Sequence, residues 1–241
     1  MIDLGVAAAA VVARFHPICT LWVSEDGQVV VVSMMTASLS GTQERELKGR
    51  LNQVEQRRSK EFYRLADRRE YVASHALLRI LFAEWLLDHP DRFLLSPCIE
   101  GGKPQLHHAG SRHVDFSLSH TTSLVAVAVT TDGCVGVDVE DLDRALAAGF
   151  TELAFSANEM RWLDGHEPQE KHNNVLHLWT LKEAVLKAVG CGLACEPSFI
   201  EVSLDPPRLV SAPAILVADR NWELRQWQPT SRHVLAVARG K

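Results

Sequence analysis

Segments in which apolar residues recur at helical spacing alternate along this chain with short runs rich in β-branched residues. Leucine and valine residues three and four positions apart predict two helices within residues 40–89, ending before Pro90. Helical spacing returns at residues 141–163 and 176–189, and glycines follow the second of these segments. The chain is therefore expected to contain helices in two separate regions.

The runs that follow these helices favour strands. Residues 124–129 and 135–139 are separated by Thr131-Asp132-Gly133, a pattern typical of a hairpin-like strand pair. Further strands are predicted at residues 200–204, 215–218, 222–227 and 234–238.

Helices followed by strands thus occur twice, which indicates an α+β fold with two similar halves. The segment Ser123–Ala128 loosely echoes His233–Ala238, near the end of each half. The predicted halves are residues 1–133 and 134–241. Binding sites often form where two such halves meet.

Composition and charge exclude several classes of protein. The formal net charge of -5 gives no overall attraction to nucleic acid or to an anionic membrane surface. No apolar stretch approaches the roughly 18 residues of a membrane span. The apolar opening lacks the charge pattern of a signal peptide, because Asp3 precedes it and Arg14 follows it. The five cysteines are odd in number and contain no Cys-x-x-Cys pair, which favours a reducing cytoplasm.

Two carboxylates alternate with valines in Gly136-Val137-Asp138-Val139-Glu140. The period of a strand places Asp138 and Glu140 on one face. Their repulsion is relieved by a cation, a proton or solvent, and oxygen ligands suit a hard ion such as Mg²⁺. The alternative is a strand that leaves the core before Asp141 without binding anything.

A third carboxylate and a lysine lie on a predicted helix. Trp179, Glu183 and Lys187 are spaced four residues apart and share one face. A Glu and a Lys at this spacing are also the common stabilising surface pair. Three carboxylates with a lysine are, however, the groups that phosphoryl transfer requires.

Three further segments carry groups able to bind phosphate. Ser119 and His120 can donate hydrogen bonds, although turn capping explains them equally well. Lys103 lies on a predicted tight turn that lacks the spacing of a Walker A loop. A run of basic residues between Arg57 and Arg69 is interleaved with acidic ones and is typical of a solvated helix face, although some of its arginines could bind phosphate. Cys191 and Cys195 with two histidines lack the paired spacing of a zinc site.

Five motifs in this order resemble those of the 4'-phosphopantetheinyl transferase superfamily, in its monomeric, double-size type. The motifs are Gly102-Lys103-Pro104, Phe116-Ser117-Leu118-Ser119-His120, Gly136-Val137-Asp138-Val139-Glu140, Phe155-Ser156-x-x-Glu159 and Trp179-x-x-Lys182-Glu183-Ala184-x-x-Lys187-x-x-Gly190-x-Gly192-Leu193. Each motif is a weak signal when taken alone, but five motifs in the expected order are specific to this superfamily. Ser117 departs from the Asn that many members have there, and its side chain reaches less far.

The resemblance implies two pseudo-twofold-related α+β halves with coenzyme A in the cleft between them. It implies Mg²⁺ bound by Asp138, Glu140 and Glu183, with Lys187 on the pyrophosphate. The residues that it assigns to coenzyme A are Lys103, Ser119, His120 near the 3'-phosphate, Arg58 and Arg69. Glu183 and Lys187 are the catalytic candidates.

The implied reaction is attack by a serine hydroxyl of an acyl or peptidyl carrier protein on the β-phosphate of coenzyme A. Phosphopantetheine is transferred, and 3',5'-ADP leaves. The chain is expected to be a cytoplasmic monomer with no nucleic acid or membrane partner. Two alternatives stay open at this point: a metal-dependent phosphohydrolase, which uses the same carboxylates, and a non-catalytic coenzyme A-binding homologue.

Overall fold

The computed structural model describes residues 2–89, 94–97, 103–107, 114–191, 195–217 and 220–241. The chain divides into two compact units. One unit comprises Met1–Ser96 and Pro104–Asp132, and the other comprises Pro97–Lys103 and Gly133–Lys241.

The first unit contains a four-stranded antiparallel sheet packed on helices. Its elements are α1 (Leu4–Arg14), β1 (Cys19–Val23), β2 (Val29–Met35), α2 (Gly41–Arg50), α3 (Gln53–Ser59), α4 (Leu65–Leu86), β3 (Leu94–Pro97), β4 (Pro104–His107), β5 (Asp115–Thr121) and β6 (Leu124–Thr130). The sheet order is β1-β2-β6-β5, and β3 pairs with β4. The buried face of α4 and the apolar face of α1 pack on this sheet and form one core with it.

Three helices form between residues 40 and 89, so the prediction of two is wrong. Ser40 and Asn52 each begin a helix with a capping box, in which Gln43 and Glu55 bond back to the cap backbone. These caps separate α2 from α3 at Leu51 and Asn52, where apolar spacing alone suggests continuity. β1 and β2 are not among the predicted elements, although Val29–Val32 is a β-branched run that favours a strand.

The second unit contains a three-stranded antiparallel sheet of order β10-β11-β7. Its elements are β7 (Cys134–Asp141), α5 (Phe150–Ala154), α6 (Ala157–Leu163), α7 (Pro168–Val189), β8 (Glu201–Leu204), β9 (Pro207–Ser211), α8 (Ala214–Val217), β10 (Trp222–Thr230) and β11 (His233–Gly240). β8 pairs with β9 in a separate ribbon. The apolar face of α7 packs on the sheet and closes the second core.

The predicted α+β class with small antiparallel sheets on helices is confirmed. The predicted pairing of residues 124–129 with 135–139 is wrong, because β6 pairs with β2 and β5 whereas β7 pairs with β11. Thr131-Asp132-Gly133 connects the two units instead of closing a hairpin. Residues 214–217 form a helical turn and not the predicted strand.

The two segments that echo each other in sequence lie in corresponding places. Residues 124–128 of the first segment lie in β6 and His233–Ala238 lies in β11, and each of these strands is interior to its own sheet. The long helices α4 and α7 both have 22 residues. The placement of the boundary at residue 133 stays a prediction. Within the described ranges, no helix has both the length and the apolar character needed to cross a membrane.

Candidate active site

Strand β7 presents both of its predicted carboxylates to helix α7. A Cβ atom added at Gly136 would lie 1.9 Å from the Ala184 carbonyl oxygen, so this face of the strand meets the helix backbone directly. Asp138 and Glu140 follow on the same face at the period of two. The predicted alternation is therefore confirmed, and Gly136 is the residue that permits the close approach.

Helix α7 meets these carboxylates with the face predicted from its spacing. The ammonium of Lys187 donates to Asp138 Oδ1 at 2.7 Å. The indole of Trp179 donates to Glu140 Oε1 at 3.0 Å, and the Arg144 guanidinium forms an ion pair with the same oxygen. Glu183 lies between Trp179 and Lys187 on this face of the helix.

The electrostatics of the three carboxylates depend on burial and on one another. Burial raises the pKa of Glu183 to about 7, and the charge of Asp138 acts in the same direction. Burial also raises the pKa of Glu140, again with a contribution from Asp138, while Arg144 and Trp179 oppose the rise. The three carboxylates thus carry more negative charge than Lys187 and Arg144 neutralise when all three are ionised.

The residue types fit a divalent cation. Three buried or half-buried carboxylates, of which burial raises the pKa values of Glu183 and Glu140, supply the hard oxygen donors that Mg²⁺ prefers. In the described part of the chain, no three His, Cys, Asp or Glu side chains are arranged as a complete set of metal ligands. Lys187 and Arg144 bind Asp138 and Glu140 here.

Lys103 lies close to this site within the second unit. Its ammonium donates to the Val135 carbonyl oxygen at 2.6 Å, and its side chain packs beside Gly190, the left-handed residue that ends α7. The adjoining residues Gly101, Gly102, Gly192 and Leu193 lie outside the described residues.

Ser119 and His120 belong to the first unit. They are neighbours on β5, opposite Ala126 and Val125 of β6, so their side chains point to opposite faces. Ser119 is buried and His120 is exposed. Ser117, which replaces the family's Asn, is buried on the same face as Ser119.

The two arginines assigned to coenzyme A lie in different places in the first unit. Arg58, at the end of α3, pairs with Glu61 at 2.5 Å and is largely exposed. Arg69 pairs with Glu44 at 2.6 Å across a cavity of about 370 Å³ between α2 and α4. Each is held by a neighbouring glutamate.

Sequence reasoning did not single out Tyr71 and His75, four residues apart on α4. Their rings lie 4.0 Å apart, and His75 Nδ1 is 2.9 Å from the Tyr71 carbonyl oxygen. Burial lowers the pKa of His75, and the charge of His120 adds to the effect. Their spacing of four residues on one helix is the pattern from which this ring contact could have been predicted.

Cys191 and Cys195 form a disulfide, a pairing that the cysteine spacing did not predict. His172 instead contacts the Leu142 carbonyl oxygen, and His177 contacts Gln226. The zinc alternative therefore has no support from these four residues.

An α+β protein that brings three carboxylates and a lysine together between a strand and a helix is equipped for metal-assisted chemistry on phosphate groups. The family model for the 4'-phosphopantetheinyl transferase superfamily matches residues 134–238, which contain the three carboxylates and Lys187. The class defined by fold and site thus agrees with a known superfamily.

Curated relatives extend the match beyond the second unit. The 4'-phosphopantetheinyl transferase HetI of Nostoc sp. is 31% identical over 209 residues, covering 82% of this chain and 81% of HetI. The enzyme ffp of Bacillus subtilis is 30% identical over 152 residues, covering 62% of this chain and 65% of ffp. The putative 4'-phosphopantetheinyl transferase slr0495 of Synechocystis sp. is 29% identical over 147 residues, covering 60% of this chain and 58% of slr0495. This chain belongs to the 4'-phosphopantetheinyl transferase superfamily.

Proposed function

We propose that this chain transfers the 4'-phosphopantetheine group of coenzyme A to a serine of an apo carrier protein and releases 3',5'-ADP. The observation that carries the proposal is the meeting of Asp138, Glu140, Glu183 and Lys187 at the contact of β7 with α7. The names of the relatives, which describe transferases, support transfer over hydrolysis or binding alone.

In this proposal Asp138, Glu140 and Glu183 hold Mg²⁺. When bound, the ion would offset charge on the pyrophosphate of coenzyme A. Burial, and after it repulsion from Asp138, raises the pKa values of Glu183 and Glu140. This supports the assignment, because a cation would offset both effects.

Lys187 and Glu183 have the catalytic roles. Lys187 has its ammonium at the carboxylate site and would bind a pyrophosphate oxygen as charge grows there. Glu183 would accept the proton of the carrier serine hydroxyl. The serine oxygen would then bond to the β-phosphorus of coenzyme A while the bond from that phosphorus to 3',5'-ADP breaks.

The remaining contacts to coenzyme A are assigned to Lys103, Ser119, His120, Arg58 and Arg69. The exposed imidazole of His120 and the exposed guanidinium of Arg58 are accessible to a phosphate group. The carrier would be an acyl or peptidyl carrier protein. The monomeric state and the cytoplasmic location are further parts of the proposal.

The decisive experiment is intact-mass measurement of apo carrier proteins incubated with the purified protein, coenzyme A and Mg²⁺. A phosphopantetheine-sized gain that disappears with EDTA, with Asp138→Ala and with Lys187→Met is expected. Lys171→Met is the matched control, because this lysine of α7 pairs with Asp164 away from the site. Phosphate or nucleotide release without any gain in carrier mass would overturn the proposal in favour of a hydrolase.

A further inference from the structure

The turn that follows β7 fixes the position of Arg144. Asp143 N donates to the Asp141 carboxylate at 3.0 Å, and Arg144 N donates to the Asp141 carbonyl oxygen at 2.9 Å. The Leu142 backbone is bound on both sides, by the Arg232 carbonyl oxygen at 2.8 Å and by the His172 ring at 3.2 Å. The turn is therefore well anchored, and it returns the Arg144 side chain to Glu140.

Two donors reach the Glu140 carboxylate, and both bind the same oxygen. Arg144 and the Trp179 indole contact Oε1, and among the described residues no hydrogen bond or ion pair falls on Oε2. Glu140 is almost fully buried. A carboxylate held through one oxygen has a fixed orientation, and the second oxygen stays available for a ligand.

Arg144 is itself held by an aromatic frame. Its guanidinium lies 5.5 Å from the centre of the Phe150 ring. Phe150 packs edge-on against Trp179 at 4.9 Å and against the buried Phe155 at 6.2 Å. Arg144 and Trp179, the two donors to Glu140, thus both contact the Phe150 ring. The Arg144 side chain therefore loses its conformational entropy before any ligand binds, and not on binding.

We infer that Arg144 is a positioning residue that, together with Trp179, orients Glu140 so that Oε2 is presented to the cation of the carboxylate site. This inference rests on the proposed metal-binding role of Glu140. Arg144 acts through Glu140 and need not touch the cation or coenzyme A.

The direction of the change in cation affinity on removing Arg144 distinguishes a positioning role from a purely Coulombic one. Removing a positive charge near a cation site strengthens cation binding if Coulomb repulsion is the only effect. Removing a residue that orients a metal ligand weakens cation binding, typically by about 10-fold or more. Arg144→Met should therefore weaken binding of Mn²⁺ alone by about 10-fold, measured by electron paramagnetic resonance of free Mn²⁺ without coenzyme A or carrier.

Lys171→Met is the control for lost charge. It removes the same charge from the same unit, at a lysine that pairs with Asp164. Its Mn²⁺ affinity should equal that of the unchanged protein or be slightly higher. Equal or tighter binding by Arg144→Met than by Lys171→Met would show that Arg144 only repels the cation and would overturn the inference.

Two charge-conserving variants guard against a folding defect. Arg144→Lys should recover part of the lost affinity, because it restores a cationic donor to Glu140. Phe150→Leu should weaken Mn²⁺ binding several-fold with no change in charge, because the ring beneath Arg144 is removed. Thermal unfolding of each variant checks that it is folded, and unchanged affinity in Phe150→Leu would contradict the role of the aromatic frame.

The transfer assay gives an independent readout. Arg144→Met should raise the Mg²⁺ concentration needed for half-maximal rate, while the rate at saturating Mg²⁺ changes less. Failure of the unchanged protein to bind Mn²⁺ would overturn both the proposed metal site and this inference. Normal Mn²⁺ binding by the unchanged protein and by Arg144→Met would overturn the inference alone.

Discussion

Glu183 combines a proposed catalytic role with a raised pKa. Its pKa in the folded protein is raised from 4.5 to about 7, mainly by burial. The folded state therefore loses stability as pH rises through this range, because the ionised carboxylate is favoured less in the site than in the unfolded chain. In EDTA, Glu183→Gln should be more stable than the unchanged protein above about pH 7, by roughly 3 kcal/mol.

Urea unfolding in EDTA at about pH 5 and about pH 8 tests this expectation. The stability gain of Glu183→Gln should be small at the lower pH and large at the higher. Glu170→Gln, at an exposed position of the same helix, should show no such pH-dependent difference. A gain that is the same at both pH values would show that Glu183 is not protonated near neutral pH.

Lys182 is the neighbouring lysine, but its role is structural. Its ammonium is fully buried, pairs with Glu159 at 2.5 Å and donates to the carbonyl oxygens of Ala154 and Pro197. Lys182→Met leaves the buried Glu159 carboxylate without its cation, and should cost about 3–5 kcal/mol of unfolding free energy.

The double variant Lys182→Met/Glu159→Gln should recover part of this loss, because no buried charge is left uncompensated. Lys187→Met, at a half-buried position on the face of α7 that meets β7, should abolish transfer with a smaller loss of stability. Chemical denaturation together with the mass assay distinguishes the two lysines. Normal stability of Lys182→Met with lost transfer would assign that lysine to catalysis instead.

At the level of elements, the site depends on how closely β7 and α7 approach. A Cβ atom at Gly136 would lie 1.9 Å from the Ala184 carbonyl oxygen and 2.4 Å from Ala188 N, so the helix backbone would have to move. Gly136→Ala should therefore cost about 3 kcal/mol or more and separate Lys187 from Asp138.

Gly49→Ala is the matched control for this substitution. Gly49 lies in α2, and an added Cβ would meet nothing within 4 Å. This variant should gain up to about 1 kcal/mol from helix propensity. Urea unfolding of both variants measures the difference, and equal stability would mean that the contact of β7 with α7 is looser than the structure describes.

At the level of the whole molecule, binding of a cation should stabilise the protein by mass action. Mn²⁺ or Mg²⁺ at about 100 times its dissociation constant should add roughly 3 kcal/mol to the free energy of unfolding. Asp138→Ala should remove most of this increment, because it removes a proposed ligand. Thermal unfolding with titrated metal measures the effect, and an equal increment in Asp138→Ala would place metal binding elsewhere.

Much of the site could be predicted from local periodicity. The alternation of β7 places Asp138 and Glu140 on one face, and the four-residue spacing on α7 aligns Trp179, Glu183 and Lys187. Both predictions hold because a side chain's direction within one element depends only on the geometry of that element. The helix cap at Gly190 was predictable for the same reason.

The tertiary structure decided which elements meet. The sequence suggested that residues 124–129 pair with 135–139, yet these strands pair with β2, β5 and β11 instead, because strand pairing depends on contacts far apart in the chain. Only the packing of α7 on β7 explains Gly136, and only the turn after β7 brings Arg144 to Glu140. The sequence by itself determined the chemical groups and their local directions, whereas long-range packing determined their partners, their burial and hence their pKa values.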